Sequence, residues 1–485
     1  MSAVRKILRW PAEARDRRRS ALWSAEEIAT ATGGTASGAF QVAGVEMDSR
    51  DVRSGDLFFA LKGETSDGHE YLDKAFANGA AAAVVDRPIP QPHILVSDTS
   101  SSLELLAKTA RIRASAKIIG VTGSVGKTGV KEAIFAALER GSKGAAHRSV
   151  RSYNNHVGVP LSLSRMPARS QFGVFEMGMN HAGEIAALTV QVRPHVAVIT
   201  TIAPAHIENL GSEEAIANAK AEIFTGLEPG GAAVIPADSP HFERLRRAAL
   251  AAGAEVLAFG RSAKAQVRLL DAVPAANGGS LVTAAIADRR LCYSIVEPGE
   301  HWVANSLAVM AAVHAAGGDL GAAGLALAEM GGLKGRGARH RLTVPGGHAL
   351  LIDESYNANP ASMRATLAQL GATPASRRIA VLGSMKELGE FAPAFHAQLA
   401  EPLAAAHVDY VVLVGEEMLA LARELGKAGK KALGNRVAYA HCRDPGEAIS
   451  ALEEFGLAGG DAVLVKGSNS VGLGRVVAHF AAREG

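Results

Sequence analysis

The sequence predicts an α/β protein of three domains: a small N-terminal α/β domain, a central domain on a mainly parallel sheet, and a C-terminal domain of repeated strand–helix units. Three observations carry this. Short apolar runs alternate with helix-forming stretches along the 485 residues. One of them, Lys117-Ile-Ile-Gly-Val121, enters a glycine-rich turn directly. In the last part of the chain, apolar runs starting at 379, 410, 437 and 462 are 31, 27 and 25 residues apart, about one βαβ unit each.

Length and composition set the frame. At ~100–200 residues per domain the chain makes two to four domains and buries a sizeable core. Apolar residues are 48% and charged residues 20%, with mean hydropathy +0.11, which excludes a disordered or membrane-built chain. The net charge of +3 is too small to argue for a nucleic-acid partner. Cys292 and Cys442 lie far apart, so a zinc knuckle or disulfide framework built from cysteine alone is excluded and reduced thiols are expected.

Residues 1–20 hold Arg5, Lys6, Arg9, Arg15, Arg17, Arg18 and Arg19 with no apolar stretch behind them, the pattern of a solvated basic extension rather than a secretory signal. Nowhere do ~18 uncharged apolar residues run together, so no membrane-spanning helix is expected. The first domain, 21–115, has strand candidates Leu57-Phe-Phe-Ala-Leu61, Ala81-Ala-Ala-Val-Val85 and Ile94-Leu-Val96. The central domain, 116–337, follows the run at 117 with Gly173-Val-Phe-Glu176, Val196-Ala-Val-Ile-Thr200 and Ala232-Ala-Val-Ile235. Helix-forming stretches between them predict parallel strands, with a ligand crevice at their carboxyl ends. The last domain, 338–485, is Rossmann-like, with strands at Ile379-Ala-Val-Leu382, Tyr410-Val-Val-Leu-Val414, Val437-Ala-Tyr439 and Ala462-Val-Leu-Val465. No GxGxxG follows its first strand, so it is not an NAD site.

The glycine-rich turn is Gly120-Val-Thr-Gly-Ser-Val-Gly-Lys-Thr128, and the helical stretch behind it begins near Val130. This strand, loop and helix are what a phosphate-binding loop needs, and they make the central domain ATPase-like. Backbone amides of Gly120, Thr122, Gly123, Ser124, Val125 and Gly126 turn toward phosphate oxygens, Lys127 neutralises the β/γ charge, and the Thr128 hydroxyl ligates Mg²⁺. The spacing departs from GxxxxGK[ST], because Gly120 is one residue early and position 121 is valine. Mg-ATP is the expected ligand. Other polar residues fall where strands end: Glu176 in Phe175-Glu-Met-Gly-Met-Asn180 offers a carboxylate to a metal, and His206 in Ala203-Pro-Ala-His-Ile-Glu208 an imidazole. Each alone more often is a surface carboxylate or a structural histidine, and Lys220 in Asn218-Ala-Lys-Ala-Glu222 alone fits a solvated helix lysine.

Beyond residue 20 nearly the whole chain resembles the Mur ligases of peptidoglycan synthesis. The resemblance runs in order through Met47-Asp-Ser-Arg50, Gly55-Asp-Leu-Phe-Phe59, Asp67-Gly-His69, the loop 120–128, Asn154-Asn155 with Gly158-Val-Pro-Leu161, and Glu176-Met-Gly178. It continues through Ala205-His-Ile-Glu-Asn-Leu-Gly211, Ala219-Lys-Ala-Glu-Ile-Phe224, His301 with Asn305, Gly335-Arg336, Asp353-Glu-Ser-Tyr-Asn-Ala-Asn-Pro360, Glu387-Leu-Gly389 and Val465-Lys-Gly-Ser468. Tyr356-Asn-Ala-Asn-Pro360 and the run from Asn180 to Phe224 resemble the dipeptide-adding members, and the Asp-Asn-Pro-Arg signature of the diaminopimelate-adding members is absent.

The resemblance implies ATP-dependent ligation of D-alanyl-D-alanine to UDP-N-acetylmuramoyl-tripeptide through an acyl phosphate, in the cytoplasm and by a monomer, with no nucleic-acid or membrane partner. It implies that the first domain binds the UDP-sugar through Asp48, Ser49 and Arg50. Thr128 and Glu176 then hold one Mg²⁺, His206 a second, and Lys220, carbamylated by CO₂, faces the metal. Asn305 is implied on the adenine side, Arg336 near the γ-phosphate and Asp353 at the ribose hydroxyls, although Asp353 alone fits a turn or N-cap residue. Asn154 and Asn155 are implied either to bind substrate or to support the phosphate loop, and Tyr356, Asn357 and Asn359 to face the incoming dipeptide. The alternatives are a Mur-type ligase adding the third stem residue, a folylpolyglutamate synthetase, or a nucleotide-binding scaffold without catalysis, which has no need for the metal-ligand set or Lys220.

Overall fold

The structure, a computed structural model, describes residues 20–63, 66–205, 207–275, 278–428 and 437–482. Two compact units divide the chain: residues 1–115 with 160–169, and residues 116–159 with 170–485. The basic extension lies outside the described residues except for Ser20.

The first unit has a five-stranded sheet in the order Thr35–Ala36, His93–Leu95, Ala82–Val85, Asp56–Phe59, Gly44–Glu46, parallel except at the first pair. Its first helix, Ala25–Thr32, starts at a Ser24/Glu27 capping box and ends at Gly33 with φ 66°, where the left-handed turn suits glycine. The segment 160–169, inside the middle block expected from sequence, is tied to this unit by Arg165, which donates to Val45 O and pairs with Glu46 at 2.5 Å. Trp23 Nε1 donates to Ser164 O at 2.8 Å, and the Arg113 guanidinium lies 3.2 Å over the Trp23 ring.

Both partners of the Arg165–Glu46 pair are mostly buried, with side-chain exposures of 14% and 10%. Arg165→Ala leaves a desolvated carboxylate without its cation, so a loss of about 3 kcal/mol is expected. Urea denaturation followed by Trp fluorescence checks this, and an unchanged midpoint contradicts it.

In the second unit a nine-stranded sheet runs in the order Arg289–Ile295, Ser280–Ile286, Val267–Pro274, Glu255–Gly260, Ala232–Pro236, Val196–Ile199, Lys117–Thr122, Phe172–Glu176, Ala146–Arg148. It is parallel from Val267–Pro274 onward, and the two outer pairings are antiparallel. From strand Lys117–Thr122 the chain goes out to the edge strand Ala146–Arg148, comes back beside it at Phe172–Glu176 and crosses to its other side at Val196–Ile199. That reversal opens the crevice where a ligand is expected. Helix Lys127–Gly141 covers the sheet with Val130, Ala133, Ile134, Ala137 and Leu138, all buried, on one stripe at helical spacing.

A second, six-stranded sheet follows in the same unit, in the order Ala338–Val344, Gly347–Glu354, Asp461–Lys466, Arg377–Gly383, Tyr410–Val414, Ala438–Cys442, antiparallel only at the first pair. Its Rossmann-like layering follows from the 25- to 31-residue spacing, with helices started by Asn359 and Asp444 caps, each followed by proline.

Candidate active site

Strand Lys117–Thr122 delivers the chain to residues 123–126 at the carboxyl edge of the sheet, and helix Lys127–Gly141 starts at once behind them. It starts three residues before Val130 because Gly126, at φ 87°, already turns the chain into the helix. Lys127 and Thr128 therefore stand in the first helical turn, where free amides and the helix dipole favour an anion. Gly123 has φ 145°, and a Cβ there falls 2.0 Å from Thr200 Oγ1, so only glycine fits. The end of the neighbouring strand braces this loop. Thr200 Oγ1 donates to Val125 O at 2.6 Å, and Ser124 Oγ donates to Ala203 O at 2.9 Å. The Thr122 hydroxyl, at the end of the strand, is buried without a partner among the described residues.

Lys127 Nζ donates to Gly123 O at 2.7 Å. Burial lowers its pKa, Glu176 opposes that, Arg336 adds to the lowering and Glu387 opposes again. A half-buried cation attracts an arriving phosphate more strongly than one in open water. Glu176 ends strand Phe172–Glu176 and is 1% exposed. Its Oε2 accepts from the Thr128 hydroxyl and its Oε1 from Asn154 Nδ2, both at 2.8 Å. The Glu176 N–H donates to Ser149 Oγ at 3.1 Å. Ser152 Oγ sits 3.4 Å from Thr128 Oγ1 and accepts from Arg336 at 3.3 Å.

The two asparagines separate in this geometry. Asn154 supports the Glu176 carboxylate, whereas Asn155 Oδ1 accepts from Gly158 N at 2.9 Å and starts helix Gly158–Ser164. Lys220, in the last turn of helix Glu213–Ala221, is 1% exposed and not the solvated lysine its local sequence suggests. Burial drives its pKa well below the lysine range and the Lys127 ammonium pushes the same way, with Glu222 opposing. Asn305, on helix Glu300–Ala315, lies against the loop: a Cβ on Gly126 falls 2.9 Å from its Oδ1.

From the turn leading into the last sheet comes Arg336, whose guanidinium lies 4.4 Å over the Tyr356 ring, and from strand Gly347–Glu354 the buried Asp353. The buried Asp353 carboxylate accepts from Gly335 N at 2.8 Å, Ser355 N at 3.1 Å and Ser355 Oγ at 2.6 Å, so it fixes the turn beside Arg336. Asn357 Oδ1 accepts from Ala358 N, and Asn359 Oδ1 caps helix Pro360–Ala372 through Ser362 N, both at 2.9 Å. In the first unit, Asp48 pairs with Arg50 at 2.6 Å and Ser49 O accepts from Asn78 Nδ2 at 2.7 Å. His206 lies outside the described residues. Sequence reasoning missed Ser149, Ser152 and Thr200. Thr200 ends an apolar run as Glu176 does, a signal that was available; the serines sit in a polar stretch with none.

Thr128 Oγ1 and Glu176 Oε2 converge as two hard oxygen donors beside the loop. Among the described residues no group of three His, Cys, Asp or Glu side chains is placed to cage a metal. A cation that keeps its waters and takes other oxygens from phosphates, as Mg²⁺ does, fits such a pair.

Three family descriptions match the chain: "Mur ligase family, catalytic domain" over 41–114, "Mur ligase middle domain" over 121–313, and "Mur ligase, glutamate ligase domain" over 340–469. The chain belongs to the Mur ligase family. Among its relatives, the UDP-N-acetylmuramoyl-tripeptide–D-alanyl-D-alanine ligase of Synechocystis is 35% identical, covering 90% of this chain and 91% of its own. The enzyme of the same name from Bacillus subtilis is 33% identical, covering 90% and 92%. A crystal structure of MurF from Acinetobacter baumannii superposes with TM-score 0.80 at 29% identity, covering 95% of this Mur ligase and 99% of that chain. The MurF ligase of Thermotoga maritima in complex with ADP superposes with TM-score 0.71 at 26% identity, over 91% and 97%. No helix among the described residues of this Mur ligase is long and apolar enough to cross a membrane.

Proposed function

We infer that this Mur ligase joins D-alanyl-D-alanine to UDP-N-acetylmuramoyl-tripeptide with ATP, giving the pentapeptide precursor of peptidoglycan in the cytoplasm. The observation that carries the reading is the similarity, along about nine-tenths of the chain, to enzymes named for that reaction. Joining a carboxylate to an amine in water is uphill. The tripeptide carboxylate therefore attacks the γ-phosphorus of ATP, ADP leaves, and an acyl phosphate forms; the dipeptide amine then displaces phosphate. Both steps gather negative charge, and preplaced cations and amides stabilise it.

The amides of Gly123 and Val125–Thr128 hold the phosphates, whereas Gly120, expected among them, lies inside strand Lys117–Thr122 paired on both sides, and the Ser124 N–H donates to Thr201 O at 2.8 Å. Lys127 exchanges Gly123 O for phosphoryl oxygens and meets the charge that builds during transfer. Thr128 and Glu176 hold Mg²⁺, which when bound screens and orients the phosphates. Arg336, steadied by Ser152 and the Tyr356 ring, supplies a second cation on the γ-phosphate side. Lys220 serves as a carbamate facing the metal, and His206 serves a second cation. Asn305 takes the adenine side and Asp353 the ribose, in addition to the turn it fixes. Asp48, Ser49 and Arg50 take the uridine nucleotide, and Tyr356, Asn357 and the loop capped by Asn359 take the dipeptide. Incubating the protein with ATP, Mg²⁺, UDP-muramoyl-tripeptide and D-alanyl-D-alanine should yield the pentapeptide nucleotide by mass spectrometry. Product with single amino acids but none with the dipeptide would turn the reading to another Mur-type ligase.

A further inference from the structure

Helix Lys127–Gly141 carries a second lysine one turn behind the first. The Lys131 side chain is 0% exposed, yet it stands among apolar neighbours, with Val130 and Ile134 also fully buried. An apolar residue would fill this place without the cost of burying an ammonium. The contacts give the reason for lysine. Nζ donates to Ser149 O at 3.1 Å and Arg151 O at 2.8 Å, and pairs with Glu132 Oε1 at 2.7 Å. Glu132 also pairs with Arg148 Nε at 3.0 Å, and the Arg148 guanidinium lies 3.9 Å over the Phe135 ring. Between the two carbonyls the chain turns through Arg151 at φ 52°, a left-handed conformation unfavourable for a residue with a side chain. A donor from the helix holds that turn in place.

What the turn carries is the support of Glu176. Ser149 Oγ accepts from the Glu176 backbone, Asn154 Nδ2 donates to its carboxylate, and Ser152 Oγ lies between Thr128 and Arg336. Asn154 O also accepts from Gly178 N at 2.8 Å, fixing the segment behind the carboxylate. We propose that Lys131 is a positioning residue for the cation site: its ammonium fixes the 149–154 loop, and that loop aims the Glu176 carboxylate at Thr128. Lys131 does not touch the phosphates. It ties the helix that begins at the phosphate loop to the segment that orients the carboxylate, so the two sides of the cation site keep one geometry. The proposal rests on Glu176 as a cation ligand.

The test uses the full-length protein and two readouts. One is the rise in melting temperature that Mg²⁺ with ADP produces beyond ADP with chelator; the other is the Mg²⁺ concentration for half-maximal ligation at saturating substrates. In Lys131→Met, at a temperature where circular dichroism shows it folded, the Mg²⁺-specific rise should shrink and the half-activating concentration should increase about 10- to 100-fold. The rise with ADP and chelator should persist. Lys131→Gln, a neutral donor of shorter reach, should fall between the two if the Met variant fails to fold. Ile134→Val loosens the same helix without touching the loop, and should lower the melting temperature with neither readout changed. Wild-type metal readouts in a folded Lys131 variant of lowered melting temperature would make Lys131 a structural residue only and overturn the proposal. A Glu176→Gln protein that keeps the full Mg²⁺-specific rise overturns the cation-ligand reading itself, and is distinguished by arising without any change at Lys131.

Discussion

Lys127→Ala is expected to lower kcat/KM for ligation on the order of 10³-fold or more, equivalent to about 4 kcal/mol of transition-state stabilisation, while the protein remains folded. The ammonium donates to Gly123 O, and its pKa is lowered first by burial. Removing it relieves a desolvated charge in the free enzyme and leaves the braces from Thr200 and Ser124 intact, so stability should change by no more than about 1 kcal/mol. The loss should fall on phosphoryl transfer, where negative charge gathers on oxygens that the proposed site sets against Lys127, Arg336, the loop amides and the bound cation. Pre-steady-state measurement of ADP formation separates this from a binding defect: the burst should disappear even at saturating ATP. A variant with wild-type turnover would remove the loop from the chemistry.

The phosphate loop was legible because its parts are contiguous: a buried strand, glycines that permit φ 145° and φ 87°, and a helix directly behind. Only the helix start moved, from near Val130 to Lys127, since an apolar stripe marks the buried face rather than the first turn. Glu176 was visible as the polar end of an apolar strand. Its supports from the 149–154 segment were not, because Ser149 and Asn154 meet it from 27 and 22 residues away through a turn no periodicity announces. The strands Val267–Pro274, Ser280–Ile286 and Arg289–Ile295 also escaped the sequence reading. They alternate between buried and exposed residues, the period-two pattern of a sheet with one wet face, and so hold no unbroken apolar run of the kind that marks the other strands. The attachment of 160–169 to the first unit depends on Arg165 finding Glu46, 119 residues earlier, which is a tertiary event. Asp353 fits the turn residue its isolated sequence suggests: the carboxylate fixes Gly335 and Ser355.

Lys220→Ala is expected to lose nearly all ligation, and a small carboxylate should restore part of it. The buried amine, its pKa driven well below the lysine range by desolvation and by Lys127, is held toward the neutral form. A neutral amine is the form that attacks CO₂: its lone pair forms the N–C bond, one C–O π pair moves to oxygen, and a proton leaves, giving a carbamate. Under the carbamate proposal the neutral amine becomes an anion that attracts the Lys127 ammonium and offers an oxygen donor to the cation that Thr128 and Glu176 would hold. Loss of activity in the alanine variant fits a catalytic cation equally well, so the loss alone decides nothing. Rescue does. Formate or acetate added to Lys220→Ala can occupy the vacated space and return an anionic oxygen to the site, whereas methylamine or ethylamine returns a cation. Recovery with the acids and none with the amines supports the carbamate, and the reverse makes Lys220 a cation. An intact mass 44 Da above the unmodified chain under native conditions, lost on acidification and absent from the alanine variant, should accompany the first outcome, because a carbamate nitrogen regains a proton in acid and releases CO₂.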